Sequence, residues 1–240
     1  MTGIQPDAVV VVATARALKY NGGVAKADLN NENLEALKAG LPNLLRHVDN
    51  IQSVFGLPCV VAINRFPSDT EAELDLIASE CEKLGVNVKL SEVWAKGGEG
   101  ALELADEVMR LVDEPSEFRF AYEDGADIAD ALESIATKVY RADGVDFTPA
   151  AKRQLAELRA NGFGNLPVCV AKTQYSFSDN ASMLGAPENF RITVRELKVS
   201  AGAHFVVALT GSVLTMPGLP KVPAAEGIDV DDDGVITGLF

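Results

Sequence analysis

The sequence is poor in the residues that staple a small protein or load it with metal. Three cysteines, Cys59, Cys81 and Cys169, form an odd, widely spaced set without a C-x-x-C pair, which suggests neither a disulfide framework nor a zinc site. Cys59 and Cys169 sit inside apolar runs and read as buried thiols. Only two histidines occur, His47 and His204, and neither lies near a cysteine cluster, so a metal site or a Ser-His-Asp triad has little support and both read as structural. No apolar run approaches the roughly 18 residues of a membrane span, and no basic segment leads into a hydrophobic one as in a secretory leader. Positive charge is scarce as well: 21 Lys plus Arg stand against 35 Asp plus Glu, a net of −14. Such a chain repels polyphosphate backbones and anionic membranes, so neither nucleic acid nor membrane is expected as a partner, and the location expected is cytoplasmic.

What the chain does have is enough apolar matter for a core. Its 240 residues are 48% apolar and 23% charged, the profile of a folded chain of about one and a half typical domains, not of a disordered or disulfide-dense one. Asp7 to Ala13 is a continuous apolar run of the kind found in strands covered on both faces. No G-x-G-x-x-G turn follows it, which argues against a dinucleotide fold. Leucines and other apolar residues from Leu34 to Phe55 recur at three- and four-residue steps, the stripe of an amphipathic helix, and Pro42 after Gly40 is expected to break or restart it. Pro58 to Asn64 is a second buried-type strand, Asp69-Thr70 caps a helix over 71–84 stopped by Gly85, and Val86 to Leu90 is a third strand. Helices are expected over 101–113, 125–142 and 148–161, strands over 166–171, 190–194 and 204–209.

Strand, helix, strand, helix, strand at these spacings implies an α/β fold with a mostly parallel sheet. Its ligands belong at the carboxyl ends of the strands. Two of those loops carry unusual chemistry: Asn64-Arg-Phe-Pro-Ser-Asp-Thr70 and Ser91-Glu-Val-Trp-Ala-Lys-Gly-Gly-Glu-Gly100. Phe66 and Trp94 would lie near one sheet edge, where two aromatic faces could hold a planar heterocycle, unless both are ordinary core aromatics. Gly97, Gly98 and Gly100 suggest a phosphate loop or a plain turn before a helix, and nothing in the chain matches G-x-x-x-x-G-K-[ST]. Lys172 to Asn180 is rich in oxygen donors and could hold a cation or phosphate, or be a capped surface turn. Asp229 to Gly234 mimics the start of a calcium loop, but no closing glutamate follows and a hairpin with Asp-Gly at the bend fits better.

Taken together, Ala13-Thr-Ala-Arg-Ala-Leu-Lys19, Val61-Ala-Ile-Asn-Arg-Phe-Pro67, Val93-Trp-Ala-Lys-Gly-Gly-Glu-Gly100, Ala171-Lys-Thr-Gln-Tyr-Ser-Phe-Ser178, Leu184-Gly-Ala-Pro187 and Thr215-Met-Pro-Gly-Leu-Pro-Lys-Val-Pro-Ala-Ala225 resemble formate–tetrahydrofolate ligase. The resemblance runs along the whole chain and corresponds to the C-terminal portion of that family, without the amino-terminal portion that carries its Walker-type ATP loop. It implies a three-layer, P-loop-NTPase-like α/β domain portion followed by a smaller helical, then β-rich, α+β region; the boundary expected from the residues at Glu114-Pro115 divides them into 1–114 and 115–240. It implies formation of 10-formyltetrahydrofolate from formate, ATP and tetrahydrofolate through formyl phosphate. Phe66 and Trp94 then sandwich the pterin with Leu90 lining the same pocket, while Asn64, Pro67, Asp69 and Lys96 belong to its loops. Gly97, Gly98 and the Met216 to Ala225 stretch border the nucleotide. Mg2+ accompanies ATP, and potassium or ammonium activates the family; no cofactor is expected tightly bound to this chain, which alone is expected to be inactive. A homotetramer is the family's habit. A non-catalytic assembly fragment, or a split enzyme pairing with a separate amino-terminal piece, is the competing expectation. Folate and nucleotide are both anions, so Arg16, Lys19, Lys96, Lys172 and Lys221 are where a local reversal of charge is expected.

Overall fold

The computed structural model describes residues 4–213 and 221–238; the first half of the Met216 to Ala225 stretch, 216–220, lies outside them. The first sheet holds three parallel strands in the order β1 (Val9–Ala13), β2 (Cys59–Asn64) and β3 (Val88–Ser91). The chain passes from β1 to β2 through α1 (Ala15–Asn21) and α2 (Leu34–Asp49), and from β2 to β3 through α3 (Glu71–Glu82). Each helix starts on a side-chain cap that the sequence supplies: Thr14 accepts from the Ala17 N–H, Asn33 from that of Ala36 and Thr70 from that of Glu73.

The core of this half lies on one face of the sheet. Cys59, Val61 and Ile63 of β2 pack against Leu18, Leu37, Leu41, Leu44, Val48, Leu74 and Ile77 of the three helices. Helices α1 and α2 approach so closely that a Cβ on Gly40 would lie 1.8 Å from the Leu18 carbonyl oxygen, and one on Gly22 1.8 Å from that of Ala36. Contrary to the expected break or restart, Pro42 stays inside α2. Pro42 and Lys38, whose carbonyl loses its helical partner, are both exposed residues, a setting in which water can take the missing bond at a lower cost.

The opposite face is covered by α5 (Leu102–Val112), which follows a single helical turn, α4 (Val93–Lys96). Asn87 donates to Glu107 across that face at 2.8 Å, and Lys89 lies 3.7 Å from Glu103. The cover reaches β2 and β3 but not β1. Val10 and Val12, in register with the buried Val60 and Ala62, are therefore 39% and 68% exposed, which corrects the expectation of a first strand covered on both faces.

The second sheet is mixed, in the order β4 (Val145–Phe147), β6 (Ile192–Ser200), β7 (Phe205–Thr210), β5 (Val168–Ala171). Only β6 and β7 run antiparallel; β4 pairs parallel to β6 and β5 to β7. Helices α6 (Ile128–Lys138) and α7 (Pro149–Ala160) supply Ile128, Leu132, Leu155 and Leu158 to its core. Because β5 is an edge strand, Cys169 is exposed, where a buried thiol was expected; Cys59 and Cys81 are buried, and burial pushes both thiols up to about 11. The last two strands, β8 (Asp229–Val230) and β9 (Ile236–Thr237), form the antiparallel hairpin read from Asp229 to Gly234. Asp231 closes its bend by accepting from the Asp233 and Val235 N–H groups.

Several specific bonds join the two halves. Asn43 donates to the Gly185 carbonyl, Arg46 to that of Pro187, and Asn50 to that of Val139, each at 2.8 Å.

Candidate functional site

The carboxyl ends of β1, β2 and β3 converge on a cavity of about 400 Å³. Arg16 enters it from the start of α1, Asn30 from the loop before α2, Asn64 to Ser68 from the loop after β2, and Trp94 from α4. The sequence separates Phe66 from Trp94 by a helix and a strand, and the parallel register brings them to one place: Asn64 ends β2 opposite Ser91, the last residue of β3.

The loop after β2 is held by its own polar groups. The Phe66 N–H donates to Asp69 Oδ2 at 2.8 Å, and the Asp69 N–H returns to the Phe66 carbonyl at 3.0 Å, a local turn that sets the ring's position. Asp69 is buried and its Oδ1 has no partner among the described residues. Next, Thr70 and Glu73 form a reciprocal capping box. Glu73 also meets Lys19 at 2.9 Å with both side chains 0% exposed, while Lys19 donates to the Asn31 carbonyl and Glu73 accepts from the Asn33 N–H. Burial opposes ionisation of Glu73, but the bonds from Lys19 and from the Asn33 and Thr70 N–H groups outweigh it and hold its carboxyl below the usual range. One buried ion pair thus ties α1, the loop carrying Asn30 and the start of α3 together behind the cavity.

The loop after β3 is built differently. Trp94 stands on a single turn and is 72% exposed. The turn is closed by glycines: Gly97 adopts φ +60° and ψ −145°, open in practice only to glycine, and a Cβ on Gly100 would lie 2.5 Å from the Glu92 carbonyl group. Gly98 has open space around it. Lys96 reaches back to Glu92 at 2.6 Å, and that hydrogen bond, with the charges of Lys96 and Arg65, holds the Glu92 carboxyl below its ordinary value. Arg65 links the two loops, pairing with Glu71 at the head of α3 and approaching Glu92 at 3.5 Å.

The expected residues are therefore distributed unevenly. Asn64, Phe66, Pro67 and Trp94 line the cavity. Asp69 lies behind Phe66, Lys96 turns to Glu92, and Leu90 packs against the helical core beneath the sheet. Arg65, Ser68 and Asn30 also line the cavity and were missed; Arg65 and Ser68 fall within the loop already singled out, whereas Asn30 sits in a stretch without any motif. Away from the cavity, Lys172 lies over the Tyr140 ring and donates to the Thr173 and Ser176 carbonyls of its own loop. Burial lowers it to about 8, with Asp179 opposing. Among the described residues, no group of three or more His, Cys, Asp or Glu could hold a metal ion, and no helix is long and apolar enough to cross a membrane.

The family model for formate–tetrahydrofolate ligase matches residues 1–240. The chain belongs to the formate–tetrahydrofolate ligase family. That family joins formate to tetrahydrofolate with ATP. The cavity thus gathers the rings of Phe66 and Trp94 and five polar side chains, from Arg16, Asn30, Asn64, Arg65 and Ser68, around a single space.

Proposed function

We propose that this chain supplies the folate pocket of a formate–tetrahydrofolate ligase, with the pterin ring stacked between Phe66 and Trp94. The observation that carries the reading is the shared cavity of about 400 Å³ that both aromatics line. Offset stacking against each face contributes about 1 kcal/mol beyond burial. Asn64, Pro67 and Ser68 border the same space, Leu90 supports it from below, and Asp69 fixes the Phe66 turn.

In the reaction, a formate oxygen attacks the γ-phosphorus of ATP and ADP leaves, giving formyl phosphate. The N10 lone pair of tetrahydrofolate then attacks the formyl carbon, the bond to the phosphate oxygen breaks, and N10 loses its proton. The part of these residues is positional: clamping the pterin fixes where N10 points and removes water from the ring's two faces. ATP's phosphates have no Walker cradle in these residues. Among the described residues no group of three or more His, Cys, Asp or Glu forms an all-protein metal cage; Mg2+, which comes with the ATP phosphates, and the activating potassium or ammonium are assigned to no residue and no step. Gly97 and Gly98 are read as the nucleotide-facing border of the pocket.

The same reading carries a P-loop-like three-layer portion over 1–114 and an α+β region over 115–240. It also carries a cytoplasmic setting, a homotetramer, and inactivity of these residues by themselves.

Trp94 is the only tryptophan, so its fluorescence reports the pocket directly. Tetrahydrofolate should quench it saturably, and Trp94→Ala should weaken binding, measured by calorimetry, by roughly tenfold. An unaltered affinity would sink the stacking assignment.

A further inference from the structure

In a chain of net charge −14, nearly every cation near the cavity is already matched. Lys19 is closed off by Glu73, Arg65 is shared between Glu71 and Glu92, and Lys96 is held by Glu92. Arg16 differs. It lines the cavity, half-buried, and its partner among the described residues is the Phe66 ring, with the guanidinium carbon 5.5 Å from the centroid. Among the described residues, no carboxylate pairs with it and no acceptor takes a hydrogen bond from its N–H donors. The helix that carries it is fixed from below by the buried Ala15, Leu18 and Lys19, so the guanidinium is delivered to one place.

An arginine laid over an aromatic ring keeps its planar fork of donors free at the edge, suited to a carboxylate or phosphoryl group and satisfied poorly by anything neutral. We propose that Arg16 is the oxyanion-receiving residue of this pocket, binding a substrate oxyanion beside the aromatic face of Phe66. The proposal rests on the folate reading above. That reading offers two sources of the same chemistry, the glutamyl carboxylates of the folate tail and the phosphoryl group of the acyl phosphate.

The test titrates the chain, followed by Trp94 fluorescence and calorimetry, with tetrahydrofolate, with a methylated tetrahydropterin that keeps the ring and lacks the tail, and with inorganic phosphate. Arg16→Gln and Arg16→Lys are compared with the unsubstituted protein after unfolding curves show both to be folded. If the tail is the source, Arg16→Gln weakens tetrahydrofolate by roughly tenfold or more and leaves the tetrahydropterin unchanged, with Arg16→Lys between. If the phosphoryl group is the source, both pterins are unchanged and phosphate binding is lost. Equal weakening of the two pterins would mean that Arg16 merely shapes Phe66, and no change with any ligand would leave it without a role; either result overturns the proposal. Failure of the unsubstituted protein to bind the tetrahydropterin overturns the folate reading itself, and this inference with it, before any variant is compared.

Discussion

Phe66 and Trp94 line one cavity, yet the loops that carry them are secured by opposite means. The Phe66 loop is wired into the interior: its turn closes on Asp69, its end is a capping box, and the box is anchored by the buried Lys19–Glu73 pair. The Trp94 loop is held by backbone geometry, through a left-handed Gly97 and a Gly100 pressed on the Glu92 carbonyl, with only exposed side-chain bonds added. A wall built on buried polar contacts shares the fate of the fold, whereas a wall built on a glycine turn can change without the fold noticing. Substitutions in the two loops should therefore separate stability from site geometry.

The largest effect is expected at Lys19. Lys19→Met strands the Glu73 carboxylate in the core, a loss of about 3–5 kcal/mol that urea unfolding would show, and Lys19→Met with Glu73→Met should restore much of it. The acid limb gives an independent check. The folded pKa of Glu73 lies below its unfolded value, so its contribution is fully present above the unfolded pKa and is lost as pH falls through the folded one. Glu73→Gln should accordingly flatten the decline of stability below about pH 4. A midpoint unmoved by Lys19→Met would erase the contrast between the loops.

Gly97→Ala comes next. Its cost of about 1–3 kcal/mol is backbone strain and falls on a turn tied weakly to the core, so the unfolding midpoint should move less than for Lys19→Met while Trp94 changes its emission and its accessibility to quencher. An unchanged Trp94 spectrum would show that the turn does not depend on glycine at this position.

Much of this contrast was legible in the chain, and what was not has physical causes. The cap at Thr70, the parallel pairing of the first sheet and the two aromatic loops follow from local patterns, because capping chemistry and strand-end loops are short-range facts, whereas α1 and its Thr14 cap went unread. Val10 and Val12 misled because periodicity reports what a strand tolerates, not how far α5 extends over it. Pro42 misled because the cost of a helical proline depends on whether the freed carbonyl meets water. The Lys19–Glu73 pair was invisible as a pair: the two lie 54 positions apart, and a lysine in a first helix ordinarily reads as surface. Cys169 looked buried because an apolar run does not reveal that its strand lies at an edge.

The smallest expected effect tests the Trp94 loop from its exposed side. Lys96 and Glu92 are one helical turn apart and 57% and 25% exposed, respectively, at their side chains, so salt screens the pair and its loss should not move the unfolding midpoint measurably. Lys96→Gln should instead raise the Glu92 pKa, since the Lys96 hydrogen bond is the largest cause of its depression; with Arg65 still near, the return should be incomplete. Carbon-detected NMR titration of the Glu92 carboxyl would read this directly. Tetrahydrofolate affinity should stay within about twofold, because a lysine already satisfied by Glu92 has no donor to spare that the ligand requires. A large loss of affinity with an unchanged midpoint would mean that Lys96 leaves Glu92 for the substrate, and the Trp94 loop would then carry charge as well as a ring to the ligand.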